Sequence, residues 1–262
     1  MRVSIVNCVS TAAKMMEFSD TSLLANSGHN KFDYVIVKWL ATLEVDQYLA
    51  YLSSAVRLRY PGCRVHIVEH KTDLNVGYVP NLRAMMNDGF SAGFELNEYA
   101  GLVNTDCYFG RGWLRNLVKH VRPDYVVNSL HITAASAPNP VRGIITEDLG
   151  VPGVETFNKK RFEELYLAFY REDLIRSEDT AGLNGYRECA TMPYLFHRQY
   201  WESCGPWELE CTDKQSPDVR FFDRVNEAGA VFALSESSIV YHHEAVERKG
   251  KRPVGAEQLE EE

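Results

Sequence analysis

Between residues 33 and 103 short apolar runs alternate with helical patterns, and no other feature constrains the fold so tightly. Residues 33–39 (DYVIVKW) form a β-branched run. Behind it Val45, Leu49, Leu52, Val56 and Tyr60 recur at spacings of three or four, which is one apolar face of a helix. Pro61-Gly62 stops that pattern. Residues 64–69 (RVHIVE) read as the next strand, followed by a polar stretch with Asn75 and Gly77 and by a predicted helix over about 81–92, with Pro80 well placed at its start. Residues 99–103 (YAGLV) make a third buried strand. Strand, helix, strand, helix, strand is the order of βαβ units, so the expected fold class is α/β with a mainly parallel sheet flanked by helices.

The last of these strands runs straight into Asn104-Thr105-Asp106. Ligands of open α/β sheets bind at the carboxyl ends of strands, so this polar tripeptide stands where chemistry is expected. Further on, residues 113–121 read as helix and 125–130 as strand, while 3–7 (VSIVN) read as an edge strand. Between about 138 and 190 Gly and Pro interruptions and a charged amphipathic piece break the pattern. We read this stretch as an inserted lid or acceptor region, because it is too short for a core of its own. Strand, helix and strand return at 193–196, 217–228 and 238–243. One domain over 1–247 and a charged, flexible tail over 248–262 are expected.

Composition removes several classes. With 28 Lys and Arg against 36 Asp and Glu, the net charge is −8, and no basic stripe is present to track nucleic-acid phosphates; nucleic acid is disfavoured. No apolar run approaches the roughly 20 residues that span a bilayer, and MRVSIVNCVS lacks the apolar region of a signal peptide. A cytoplasmic location is expected, with attachment to a membrane surface left open. The six cysteines, Cys8, Cys63, Cys107, Cys189, Cys204 and Cys211, contain no CxxC pair. They are expected to be thiols acting as small hydrophobes.

Three segments carry the chemistry: GLVNTDCYFGRGWL (101–114), SPDVRFFDRVNEAG (216–229) and SIVYHHE (238–244). A carboxylate at Asp106 offers hard oxygen to Mg²⁺ or Mn²⁺, and a nearby imidazole suits Mn²⁺ better. The plain alternative for Asn104-Thr105-Asp106 is an Asn/Asp turn ending a strand, and for Asp218 a helix cap. His242 and His243 point to opposite faces if the strand continues, so one of them at most is expected to be a ligand.

Taken in order with RVHIVEHKTDLNVGYVPN (64–81) and PYLFHRQYWESCGPWE (193–208), these segments resemble glycosyltransferase family 2 enzymes of the GT-A fold, over roughly residues 33–245. The resemblance implies a GT-A-type, Rossmann-like single domain and a metal-dependent, inverting glycosyltransferase. It would use a nucleotide-diphosphate sugar, with UDP-sugars as the expected donors and an unknown hydroxyl acceptor. It implies donor contacts at Glu69, Asn75, Gly77, Asn104 and Asp106. The metal, Mn²⁺ or Mg²⁺, falls to Asp106 with His242 or His243, and the catalytic base to Asp218. Two departures stand out: Asn104 replaces the first acid of the D-x-D segment, and Pro217 the acid before Asp218. The alternatives are a sugar nucleotidyltransferase, against which no glycine-rich basic loop follows the first strand, and a non-catalytic nucleotide- or sugar-binding module.

Overall fold

β1 (Val3–Val9) pairs in parallel with β2 (Phe32–Lys38) on one side and β4 (Tyr99–Val103) on the other. In this computed structural model, which describes residues 1–9, 13–28, 31–133, 144–150, 156–172, 175–177, 192–209 and 217–243, β1 is therefore interior. The edge-strand expectation for residues 3–7 is corrected: every residue of β1 except Cys8 is buried. The edge belongs to β3 (Cys63–Glu69), beyond β2.

The remaining strands are β5 (Cys107–Phe109), β6 (Tyr125–Thr133), β7 (Ile144–Thr146), β8 (Ile175–Ser177), β9 (Tyr194–His197) and β10 (Val231–His242). Their order in the sheet is β3-β2-β1-β4-β9-β6-β10-β5, with β7 on β6 and β8 on β10. β9 is antiparallel to both β4 and β6, and β10 is parallel to β6. Two reversals cancel, so β1 to β4, β6 and β10 all point their carboxyl ends at one edge. The sheet is mixed and mainly parallel, as expected.

Helices cover both faces. α1 (Ala13–Ala25) and α2 (Leu43–Arg59) lie on one, where Met16, Leu23, Val45, Leu49, Leu52 and Val56 join Val3, Ile5 and Tyr34 in a buried cluster. α2 opens on Thr42, whose side chain accepts from the Val45 N–H, with Glu44 and Asp46 in its first turn and Arg57 and Arg59 in its last. Those charges complement the helix dipole. α3 (Tyr78–Leu96) covers the other face with Phe90 and Phe94. It starts three residues before the predicted 81, because Gly77 and not Pro80 caps it. Gly89 lets it seat closely on the sheet, since a Cβ there would fall 2.5 Å from Val6 Cγ1. At Gly101 a Cβ would meet the Tyr194 carbonyl oxygen at 1.8 Å, so only glycine permits the β4–β9 approach.

Several elements escaped the sequence pattern in whole or in part, β5, β7 and β8 among them. α1 carries buried Ser19, Asp20 and Ser22 among its apolar residues, which blurs its period. β10 begins at Val231 and not at 238; the polar run Ser235-Glu236-Ser237-Ser238 hides it, and the register to β6 shifts between Ser235 and Ile239. The buried hydroxyls there are satisfied: Ser238 Oγ lies 2.7 Å from Ser129 Oγ and donates to the Trp113 carbonyl at 2.9 Å. α6 (Arg198–Cys204) follows β9 directly.

α4 (Trp113–Val118), α5 (Lys159–Phe169) and α7 (Pro217–Glu227) complete the described helices. None of the described helices is long and apolar enough to cross a membrane. Of the expected insertion, Leu149, Phe157, Phe162, Leu165 and Tyr166 pack against Phe18, Tyr108 and Tyr241. Residues 138–143, 151–155, 173–174 and 178–190, with Cys189 among them, the tail 248–262, and Cys211 lie outside the described residues.

Candidate metal and donor site

β4 ends at Val103, and the next three residues turn the chain into β5, which pairs antiparallel with the end of β10. This register sets Cys107 directly opposite His242. α1 fastens the turn from behind: Ser19 Oγ donates to the Asn104 carbonyl at 3.3 Å, Ser22 Oγ accepts from the Phe109 N–H at 3.1 Å, and Asn26 Nδ2 donates to the Phe109 carbonyl at 2.7 Å. The His243 N–H donates to the Asp106 carbonyl at 3.1 Å and closes the turn onto β10. The loop is thus held by backbone groups, which leaves the side chains of Asn104 and Asp106 to the site.

His242 Nε2 lies 3.2 Å from Asp106 Oδ1 and 3.2 Å from Asn104 Nδ2. One ring nitrogen carries either a proton or a lone pair, so it can serve the carboxylate or the amide but not both. A divalent cation held by Asp106 and His242 would resolve the conflict, because both lone pairs would then serve as ligands and the amide would be free to pair elsewhere. Asp106 and His242 are 5% and 14% exposed at the residue and side-chain level respectively, so the ion would sit in a partly dehydrated notch. Cys107 joins them: the ligand atoms of Asp106, Cys107 and His242 all lie within 4.8 Å of one another. The sequence reading treats Cys107 as a buried hydrophobe, and only the β5–β10 register reveals its position.

The structure separates the two histidines. His242 faces Asp106, whereas the His243 ring packs against Phe18, Phe157 and Tyr241. Burial pushes His243 down to about 4, partly opposed by the charge of Asp106 and a backbone hydrogen bond at Gly150. Of the two candidates it is therefore His242 that meets Asp106. A third imidazole, His131 on β6, stands 5.7 Å from the His242 ring, centroid to centroid. Burial first, then the neighbouring His242, holds His131 well below the ordinary imidazole range, hence neutral.

The other expected donor residues sit along the same carboxyl edge. Glu69 ends β3, three strand spacings or roughly 14 Å from β4, with its side chain 77% exposed and 3.9 Å from Lys38 Nζ. Asn75 is exposed and bonded to Asp73 Oδ1, and Gly77 caps α3. The organiser of this loop is Asn81, which the sequence did not single out. Its Oδ1 accepts from the Asp73 N–H at 2.8 Å, and its Nδ2 reaches the carbonyls of Asp73, Val76 and Gly77 at 2.9, 3.2 and 3.1 Å. Beside it His70 Nδ1 meets Asp88 Oδ2 at 2.7 Å.

Asp218 lies in the first turn of α7, and its side chain lies outside the described atoms. α7 leads into β10 through the Ala230 N–H bond to Val225. Its first turn is therefore the end farther from the start of β10, about 16 Å along the helix. Trp113 and Trp207 are buried; Trp113 Nε1 donates to the Leu23 carbonyl at 3.0 Å, so packing accounts for it. Arg83 donates to the Leu209 carbonyl at 2.6 Å.

No protein-family model matches this chain, and no curated protein sequence does. Solved structures do match. A mannosyltransferase from Pyrobaculum calidifontis, PcManGT, determined with GDP-Man and Mn²⁺, superposes over 95% of this chain and 58% of its own, with TM-score 0.57 and 13% identity. GalNAc-T7, determined with UDP, GalNAc and Mn²⁺, superposes over 92% of this chain and 43% of its own, with TM-score 0.53 and 11% identity. The chain therefore spans about half the length of each. Its fold is that of the GT-A glycosyltransferases, as the sequence resemblance implied.

Proposed function

We propose that this chain is a metal-dependent glycosyltransferase that moves a sugar from a nucleotide-diphosphate donor, UDP-sugars first, to an acceptor hydroxyl with inversion at the anomeric carbon. The observation that carries the reading is the pairing of Asp106 Oδ1 and His242 Nε2 at 3.2 Å at the carboxyl edge of a GT-A sheet. A carboxylate and an imidazole fit a divalent ion, Mn²⁺ or Mg²⁺, which supplies Lewis-acid neutralisation of the leaving diphosphate. Asp106 and His242 hold that ion, and the Asn104 amide, once released from His242, donates to the donor. Glu69, Asn75 and Gly77 line the same edge at the nucleoside end. Asp218 takes the acceptor proton as general base, and the Gln199-to-Leu209 region, tied to α3 through Asn87 and Trp207 at 2.9 Å, stiffens the side on which α7 stands.

The support is convergent: the site is assembled from β4, β5 and β10 at the edge where α/β sheets bind ligands, and both matched structures were determined with Mn²⁺. The test is turnover. Incubation with a panel of UDP- and GDP-sugars and Mn²⁺ is expected to release free nucleoside diphosphate, to stop with excess EDTA, and to stop in Asp106→Asn and His242→Ala. Pyrophosphate production from a sugar phosphate and a nucleoside triphosphate would assign the nucleotidyltransferase reading instead. Donor binding without release of any product across the panel would leave a binding module. A product that retains the donor's anomeric configuration would refute the role given to Asp218.

A further inference from the structure

The β5–β10 register gives this site a donor that a carboxylate and imidazole pair does not need. Cys107 is buried, 1% exposed, outside any disulfide, and directly across the ladder from His242. Cross-strand partners in register project from the same face of the sheet. Its sulfur, an Asp106 oxygen and a ring nitrogen of His242 are mutually within 4.8 Å. Tetrahedral coordination with metal–sulfur, metal–nitrogen and metal–oxygen bonds of about 2.3, 2.0 and 2.1 Å places ligand atoms roughly 3.4–3.6 Å apart. The Asp106–His242 separation of 3.2 Å is already at that scale, and the sulfur would close in by roughly 1.4 Å at most from its 4.8 Å bound.

A second observation points at the same place. His131, 6% exposed, projects beside His242 with its rings edge-on at 5.7 Å, and its buried Nε2 has no hydrogen-bond partner among the described residues. A buried ring nitrogen left without a partner beside His242 is consistent with a polar site at this edge that the described residues do not fill.

We propose that the ion is held by Asp106, His242 and the thiolate of Cys107, so that the site takes thiophilic divalent ions of the Co²⁺ and Zn²⁺ type in preference to Mg²⁺. The inference rests on the metal reading above and refines it. Binding breaks the Cys107 S–H bond, forms a metal–sulfur bond, and releases the proton to solvent, with no change in oxidation state. Thiolate is the soft member of the set and selects against hard, oxygen-preferring ions.

Co²⁺ titration of the metal-free full chain reads this directly. Wild type is expected to show visible ligand-field bands together with a sulfur-to-cobalt charge-transfer band in the near ultraviolet. In Cys107→Ser the charge-transfer band disappears while ligand-field bands remain, and Zn²⁺ binding weakens by about tenfold or more, a scale that even outer-shell partners reach. Mn²⁺ binding changes less than Zn²⁺ binding, and wild type releases one more proton per Zn²⁺ than the variant. If circular dichroism shows Cys107→Ser unfolded, Cys107→Ala serves for the same comparison. Wild-type ligand-field bands without a charge-transfer band, or a band that survives both substitutions, would overturn the thiolate and leave the metal reading standing. Failure of wild type to bind Co²⁺ at all would overturn both.

Discussion

Asp20 offers a test in which the structure dictates the sign and the size together. It lies on α1, completely buried, where Tyr34 donates to Oδ1 at 2.5 Å and Tyr48 to Oδ2 at 3.0 Å; Asn7 Nδ2 donates in turn to the Tyr34 oxygen at 2.7 Å. Burial raises its carboxyl from 3.8 to about 7, against the opposing pull of the two tyrosine hydrogen bonds. An acid that holds its proton more tightly when folded stabilises the native state fully below its unfolded pKa. That share is lost as pH climbs towards the folded value. A gap of about three pH units at about 1.4 kcal/mol each is on the order of 4 kcal/mol, drained between about pH 4 and pH 7. Asp20→Asn copies the protonated acid: its oxygen accepts from Tyr34 and its amide donates to Tyr48. Urea unfolding of both proteins at pH 5, 6, 7 and 8 is expected to show wild type losing about 2–3 kcal/mol relative to the variant across the series, with the variant the more stable at pH 8. Parallel stability profiles would refute the protonated, buried carboxyl.

Phe90→Ala removes a fully buried ring that touches Phe94, Tyr194, Phe196, Trp201 and Trp207, and should cost about 3–5 kcal/mol in equilibrium unfolding. Asn81→Ala deletes four hydrogen bonds to the loop before α3; at about 1 kcal/mol each, a loss of about 2–4 kcal/mol is expected, with hydrogen exchange rising first over residues 73–77. Asp218→Asn is expected to fold and to bind donor and metal while turnover falls about 10²- to 10⁴-fold, the usual share of general base catalysis; turnover above a tenth of wild type would move the base elsewhere.

Much of the first half of the fold is legible in the chain because its signals are local. The β2, β3 and β4 runs and the α2 period each stand on contiguous residues, and they appear within a residue or two of the predicted bounds. What hides is what depends on partners. β1 has a short apolar run that reads equally well at an edge or in the middle, and only the two parallel ladders flanking it decide. α1 mixes Ser19, Asp20 and Ser22 into its buried side, and those residues make sense only beside Tyr34, Tyr48 and the Asn104 turn. β10 hides behind four polar residues, among which the Ser238 hydroxyl finds partners on β6 and α4 and those of Ser235 and Ser237 pair with each other.

The site divides along the same line. Asp106 is announced by position, since an acid directly after a buried strand stands at a carboxyl edge wherever the neighbouring strands lie. Choosing between His242 and His243 needs the face, and the face follows from strand alternation once β10 is anchored to β5: residue 242 falls opposite Cys107 and residue 243 turns into the Phe18, Phe157 and Tyr241 cluster. The same single register therefore selects the imidazole and brings up the thiol. A slip of one residue in β10 would turn the His242 ring away and place the His243 ring at Asp106 instead. Asn116 Nδ2, bonded to the Ser237 carbonyl, and Gly110 N–H, bonded to the Ile239 carbonyl at 2.9 Å, pin β10 from α4 and from the end of β5. The geometry at Asp106 thus depends on contacts three to five residues back along β10.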